Sequence, residues 1–215
     1  MPVPTDLLSA LFTQIQNVID ANAEAVTELD QAIGDGDHVY NLQRGLQALQ
    51  EQIPNLSTLE WQAALQKIGM TLMSTVGGAS GSLYGTLFIS MSKNLGVRPL
   101  DSTSLADIFA AGVESMKQRG KADVGEKTML DVLIPVAQYL QSHSAQPLNE
   151  LLPAMESVAL QGVEATRDML ATKGRASFLG ERSRGCIDAG AQTAQLMLSA
   201  IADVLSKEST VGRLG

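Results

Sequence analysis

Apolar residues recur three and four positions apart along almost the whole of this chain, a spacing that leaves room for little but helix. Leu7, Leu8, Leu11, Ile15, Val18 and Ile19, continued by Ala25, Val26 and Leu29, form the buried row of one long first helix. A second is expected over 38–49, capped by Asp35 or Asp37 and ended before Pro54. Ser57-Thr58-Leu59-Glu60 signals the start of a third, ending near Gly77-Gly78, and a fourth covers 79–94 with Gly96 and Pro99 behind it. A fifth begins after Ser104 and stops at Gly120, a sixth covers 127–143 with a kink at Pro135, a seventh covers 148–172 and an eighth 189–207. Period-two alternation bounded by hairpin turns is absent. The chain therefore reads as all-α: eight antiparallel helices with short connections in an up-and-down bundle or barrel, one domain over 1–215. Scarce aromatics, 4% of the chain, beside plentiful Ala, Leu, Met and Gly suit close helix packing around a soft apolar interior.

Four irregular segments stand out, at residues 30–38, 76–81, 120–128 and 173–190. They follow the first, third, fifth and seventh helices. Alternate junctions of an up-and-down bundle lie at the same end, so this topology gathers all four segments into one place.

The first segment crowds Asp30, Asp35 and Asp37 together, and no Lys or Arg precedes Arg44. Asp30 falls near a helix C-terminus, where a negative side chain opposes the macrodipole by roughly 0.3–1 kcal/mol. A divalent cation reverses that sign, and carboxylates with phosphates and waters suit Mg²⁺. Isolated Asp-Gly pairs usually make turns and N-caps, but three unpaired aspartates favour metal. An EF-hand is excluded, because counting from Asp35 puts Tyr40 at the turn glycine and Leu46 at the bidentate Glu. Val76-Gly77-Gly78-Ala79-Ser80-Gly81 opens a helix, where its backbone N–H groups could hold an anion or its glycines could allow close helix packing. Gly120 to Thr128 superficially resembles a phosphate-binding P-loop, but Glu126 intrudes before Lys127 and a helix precedes it. The fourth segment sets Lys173, Arg175, Arg182 and Arg184 against Glu181. A metal loop, a glycine nest and a basic loop at one end make a nucleotide polyphosphate site the economical reading. His38 adjoins the aspartates and could reach a phosphate or metal, whereas His143 reads as a surface residue and Cys186 receives no role.

Net charge −8 and pI near 4.7 argue against non-specific nucleic-acid binding, which draws on surplus Lys and Arg. A single cysteine excludes an intrachain disulfide and Cys-based zinc sites. With no basic leader and no apolar run long enough for a membrane span, a cytoplasmic location is the default expectation.

The motifs Asp30…Gly34-Asp35-Gly36-Asp37-His38, Gly69-Met70-Thr71-Leu72…Val76-Gly77-Gly78-Ala79-Ser80-Gly81, Gly120-Lys121-Ala122…Gly125-Glu126-Lys127-Thr128-Met129 and Lys173-Gly174-Arg175-Ala176-Ser177-Phe178-Leu179-Gly180-Glu181-Arg182-Ser183 occur in that order. Together they resemble the L subunit of dihydroxyacetone kinase, its nucleotide-binding subunit, over essentially the whole chain. The resemblance implies an eight-helix barrel with ADP or ATP and Mg²⁺ at one end, and two Mg²⁺ ions held by Asp30, Asp35 and Asp37. It implies nucleotide contacts from His38, Val39, Tyr40, Asn41, Ala79, Ser80, Gly120, Met129, Arg175, Asp188, Ala189 and Gly190. In similar stand-alone subunits ADP remains bound as a coenzyme and is rephosphorylated by a phosphohistidine partner of the phosphotransferase system. The phosphoryl group then passes to dihydroxyacetone held by a separate K subunit, with no protein nucleophile on the L subunit. Val39-Tyr40 and Ala189 depart from the usual pattern, and Val39 places a β-branched side chain where glycine would permit positive φ. Two alternatives are an ATP-dependent kinase subunit that exchanges ADP for ATP, and a non-catalytic nucleotide-binding regulatory module. A Mg²⁺-dependent all-α nucleotide hydrolase lacks the Glu-x-x-Glu helical pairs it would need.

Overall fold

A computed structural model describes residues 3–212. Their α-helices are α1 (Leu7–Ala21), α2 (Ala23–Ile33), α3 (His38–Leu56), α4 (Trp61–Thr75), α5 (Gly78–Leu95), α6 (Ser102–Gly120), α7 (Leu130–His143), α8 (Leu148–Ala165) and α9 (Ala189–Thr210), with 3-10 turns at Thr166–Asp168 and Arg175–Ser183. No strand occurs among the described residues. The all-α expectation holds.

Each helix packs on the next in chain order from α3 to α9, and α1 lies between α3 and α9. The helices thus close a ring around an apolar interior that includes Leu49, Leu56, Ile68, Ile108, Met116, Val132 and Ala200. Two glycines set one seam of that ring. A Cβ on Gly69 would lie 2.9 Å from the Gly85 carbonyl oxygen, and one on Gly85 the same distance from that of Gly69. The α4–α5 pair therefore approaches backbone to backbone, closer than any larger residue permits.

The expected helix boundaries differ from the observed ones at several places. The long first helix is broken at Asn22, whose side-chain amide donates to the Val18 carbonyl at 2.8 Å, and α2 restarts beyond it. Pro54 does not end α3, which continues to Leu56. The Ser57–Glu60 capping signal is not used: Thr58 instead turns back onto the Asn55 carbonyl, and Glu60 precedes α4 without a side-chain cap. A capping box does form ahead of α6, where Asp101 accepts from the Ser104 N–H at 2.8 Å and the Ser104 hydroxyl accepts from the Asp101 N–H at 2.9 Å. This helix starts earlier than its apolar row suggests. The sixth and seventh helices are shorter than expected: α7 begins at Leu130 and α8 ends at Ala165, leaving longer loops at the end where the site lies. No helix among the described residues is long and apolar enough to cross a membrane.

Candidate nucleotide and metal site

Asp30 occupies the last turn of α2, Asp35 the turn that follows, and Asp37 the residue before α3. Gly36 adopts φ +76 there, which bends the chain back so that the aspartates converge. One carboxylate oxygen from each lies within 4.8 Å of the others, with Asp30 half-buried and Asp35 and Asp37 exposed. No basic side chain stands in the last turn of α2. Three hard oxygen donors at this spacing suit Mg²⁺, which takes a few carboxylates and completes its shell with water and phosphate. The lack of a basic neighbour in the local sequence is partly made good in space: Arg175 Nη2 reaches Asp35 Oδ2 at 2.9 Å. Arg175 is 69% exposed there, so that ion pair is weak and exchangeable.

His38 follows the aspartates and lies between two other elements of the site. Its N–H donates to Asp30 Oδ2 at 3.1 Å, its Nε2 lies 2.8 Å from Thr193 Oγ1 on α9, and its Nδ1 lies 3.5 Å from Ser80 Oγ on α5. Burial lowers its pKa, opposed by the charges of Asp30 and Asp37. Val39 has its side chain in the apolar core and sits inside α3 without positive φ, so the strain expected of a β-branched residue there does not arise. Tyr40 is exposed and stacks beneath the Arg44 guanidinium, which also donates to Asn41 Oδ1 at 3.2 Å. Neither departure at Val39 or Tyr40 distorts the helix.

The glycine loop is used for packing at one residue and leaves an open helix start at another. A Cβ on Gly81 would run into the carbonyl oxygens of Val76 and Leu72, so Gly81 is there for packing. Gly78 adopts φ +65 with open space around it, and no side chain caps α5, leaving Ala79 and Ser80 in a helix N-terminus turned toward His38.

The third and fourth loops are fastened together beneath the site. Lys127, 1% exposed, has φ +60 and donates through Nζ to the carbonyls of Thr166, Arg167 and Cys186. Burial lowers its pKa while the charge of Asp188 raises it. Asp131 accepts from the N–H groups of Gly125 at 2.5 Å and Thr128 at 2.8 Å, and burial pushes its pKa up against those bonds. Glu126 accepts from Thr172 Oγ1 at 2.9 Å and pairs with Lys173 at 3.4 Å. The basic surplus of the fourth loop is thereby reduced, since Lys173, Arg175 and Arg184 each face a carboxylate.

Asp188 caps α9 by accepting from the Ala191 N–H at 2.7 Å. Burial pushes its pKa up to about 6, against the pull of that N–H and of Lys127. Gly190 lies beside it, where a Cβ would stand 3.0 Å from the Asp188 carboxylate and 3.5 Å from the Met129 side chain. Ala189 is buried, and Gly120 ends α6 against Leu83. Tyr84 is buried with its hydroxyl unpaired, and both burial and the charge of Asp188 raise its pKa.

The structure thus gathers the aspartates, His38, Ser80, Arg175 and the Asp188–Gly190 turn at one end, as alternate junctions require. Sequence reasoning missed Thr193, Tyr84 and Asp131, and noticed Lys127 in a rejected P-loop and in a family motif without giving it a role. Asp131 is held by N–H groups three and six residues before it, whereas Thr193 and Lys127 are brought in by the packing of distant elements.

The DAK2 domain family matches residues 32–203, a span that begins just after Asp30. The chain is 42% identical over 183 residues to the ADP-binding subunit of PEP-dependent dihydroxyacetone kinase 1 of Listeria innocua, covering 85% of this chain and 88% of that one. It is 39% identical over 194 residues to the corresponding Escherichia coli subunit, covering 89% and 92%. The ADP-binding subunit of the PTS-dependent enzyme of Lactococcus lactis is 42% identical over 188 residues, covering 87% and 91%. The crystal structure of the C. freundii dihydroxyacetone kinase with AMP-PNP and Mg²⁺ superposes with TM-score 0.73 at 22% identity, covering 94% of this chain, which spans only 34% of that one. That similarity carries the fold. Identities of 39–42% over most of the chain, with the family match itself, carry the family: the chain belongs to the DAK2 domain family, in which these ADP-binding subunits of dihydroxyacetone kinases are its relatives.

Proposed function

We propose that this chain is the nucleotide-binding subunit of a phosphoenolpyruvate-dependent dihydroxyacetone kinase. In this reading it keeps Mg-ADP as a coenzyme, accepts a phosphoryl group onto it from a phosphohistidine protein of the phosphotransferase system, and passes that group to dihydroxyacetone on a separate K subunit. The observation that carries the proposal is the convergence of three carboxylates within 4.8 Å on the same end as an uncapped glycine-rich helix start.

Asp30, Asp35 and Asp37 would hold two Mg²⁺ ions, whose charge offsets that of the phosphates and of the transferring group. Ala79 and Ser80 offer backbone N–H groups to the phosphates at the start of α5. Arg175 exchanges its exposed bond to Asp35 for a phosphate oxygen, a bidentate partner for its guanidinium. His38, Val39, Tyr40, Asn41, Gly120, Met129 and the Asp188–Gly190 turn border the remainder of the nucleotide. No side chain acts as nucleophile. Positioning and charge neutralisation suffice for phosphoryl transfer, so the chain's task is to hold the reacting groups in line.

Reconstitution with the substrate-holding subunit tests this, comparing a phosphohistidine donor with free ATP. Turnover is expected with the phosphohistidine donor. Turnover with ATP alone would replace this reading with an ATP-dependent kinase subunit.

A further inference from the structure

We propose that Thr193 is a positioning residue for this site: it holds the His38 imidazole as the Nε2–H tautomer, leaving Nδ1 turned toward the glycine loop as a hydrogen-bond acceptor. The inference deepens the function proposed above, and rests on it only for what that acceptor meets.

Thr193 is fully buried on α9, with Oγ1 at 2.8 Å from His38 Nε2 and 3.1 Å from the Gly190 carbonyl oxygen. A hydroxyl carries one hydrogen and two lone pairs, and a carbonyl only accepts. With the Thr193 hydrogen on Gly190, the imidazole donates through Nε2, and the ring N–H and the Thr193 hydroxyl both have partners at ordinary length. In the other tautomer Thr193 donates to Nε2, and the Nδ1–H has only Ser80 Oγ at 3.5 Å, beyond ordinary hydrogen-bond length. An orphaned N–H is the rarer and costlier defect, whereas an acceptor with an open lone pair is better tolerated. The arrangement therefore selects Nε2–H.

The consequence concerns the ligand. A lone pair at Nδ1 repels a phosphate oxygen and takes a hydrogen from a hydroxyl, whether that of Ser80, of a ribose or of a metal-bound water. His38 in this state orients such a hydroxyl and does not clamp phosphate as a cation. The backbone N–H of His38 bonds to Asp30 and ties the same residue to the metal loop.

The chain has two histidines, which makes the test direct. His143 Nδ1 lies 2.9 Å from the Tyr139 carbonyl, which can only accept, so His143 carries Nδ1–H. Long-range proton–nitrogen spectra of nitrogen-15-labelled, nucleotide-free protein at about pH 8, where imidazole is neutral, should show opposite patterns for the two rings. Thr193→Val keeps the side-chain shape and removes the acceptor. It should shift His38 toward Nδ1–H and weaken Mg-ADP binding about tenfold, the worth of one hydrogen bond, while Thr193→Ser should retain both properties. An Nδ1–H signature for His38 in the unmodified protein would overturn the proposal, as would a folded Val variant with unchanged tautomer and affinity. If the Val variant does not fold, the unmodified spectrum and the Ser variant decide. Unmodified protein with the Nε2–H pattern but no Mg-ADP binding would refute the function proposed above and leave the role of Thr193 standing.

Discussion

Replacing Asp188 with Asn should remove a pH-dependent destabilisation whose size follows from where that carboxylate sits. Asp188 lies at the start of α9, with its pKa pushed up from 3.8 to about 6 by burial. An acid whose pKa is higher in the folded than in the unfolded chain stabilises the fold by its proton. That contribution is fully present below about pH 3.8 and is lost as pH rises through about 6. The whole shift corresponds to about 3 kcal/mol, of which about 1.5 kcal/mol is already lost at pH 5 and nearly all by pH 8. Asn keeps an oxygen that accepts from the Ala191 N–H, so the cap survives while the titration disappears. Urea unfolding of metal-free, nucleotide-free protein should therefore show Asp188→Asn gaining about 1.5 kcal/mol on the unmodified chain between pH 5 and pH 8. Asp188→Ala should show the same pH trend, offset by about 1 kcal/mol for the lost cap. A difference between Asn and Asp that stays flat with pH, or that narrows as pH rises, would mean that burial does not dominate at Asp188.

Two further perturbations address the metal loop and the fastening beneath it. Asp35→Ala combined with Asp37→Ala should abolish Mg²⁺-dependent retention of ADP through gel filtration, with thermal stability unharmed because both side chains are exposed; retained nucleotide would refute the metal assignment. Lys127→Met leaves three carbonyls without their shared donor and should cost about 3 kcal/mol in urea unfolding. A loss below about 1 kcal/mol would show that water replaces the ammonium there.

The fold was largely legible because helical periodicity is a local property, and the apolar rows from Leu7 to Val204 carry it without reference to distant residues. Boundaries were less so. Asn22 leaves helical backbone geometry with its side-chain amide and its own N–H both on the Val18 carbonyl, and the box between Asp101 and Ser104 starts α6 ahead of its apolar row. In both cases a polar side chain bonds a backbone group at the helix end, and apolar periodicity does not register it.

For the site, local sequence determined the aspartate cluster, since Gly36 and the end of α2 turn three nearby carboxylates together within one loop. It also determined that four loops would share one end, because chain order and antiparallel packing allow nothing else. Tertiary structure alone decided that Arg175 meets Asp35, that Lys127 is buried among carbonyls and that Thr193 faces His38 across 155 positions of sequence. The last pairing depends on where α9 closes the ring against α1 and α8, and the other two on how the segment between α8 and α9 folds back over the α2–α3 and α6–α7 junctions. Periodicity says which face of a helix is apolar; only the closed packing says which polar atom that helix brings within reach of another.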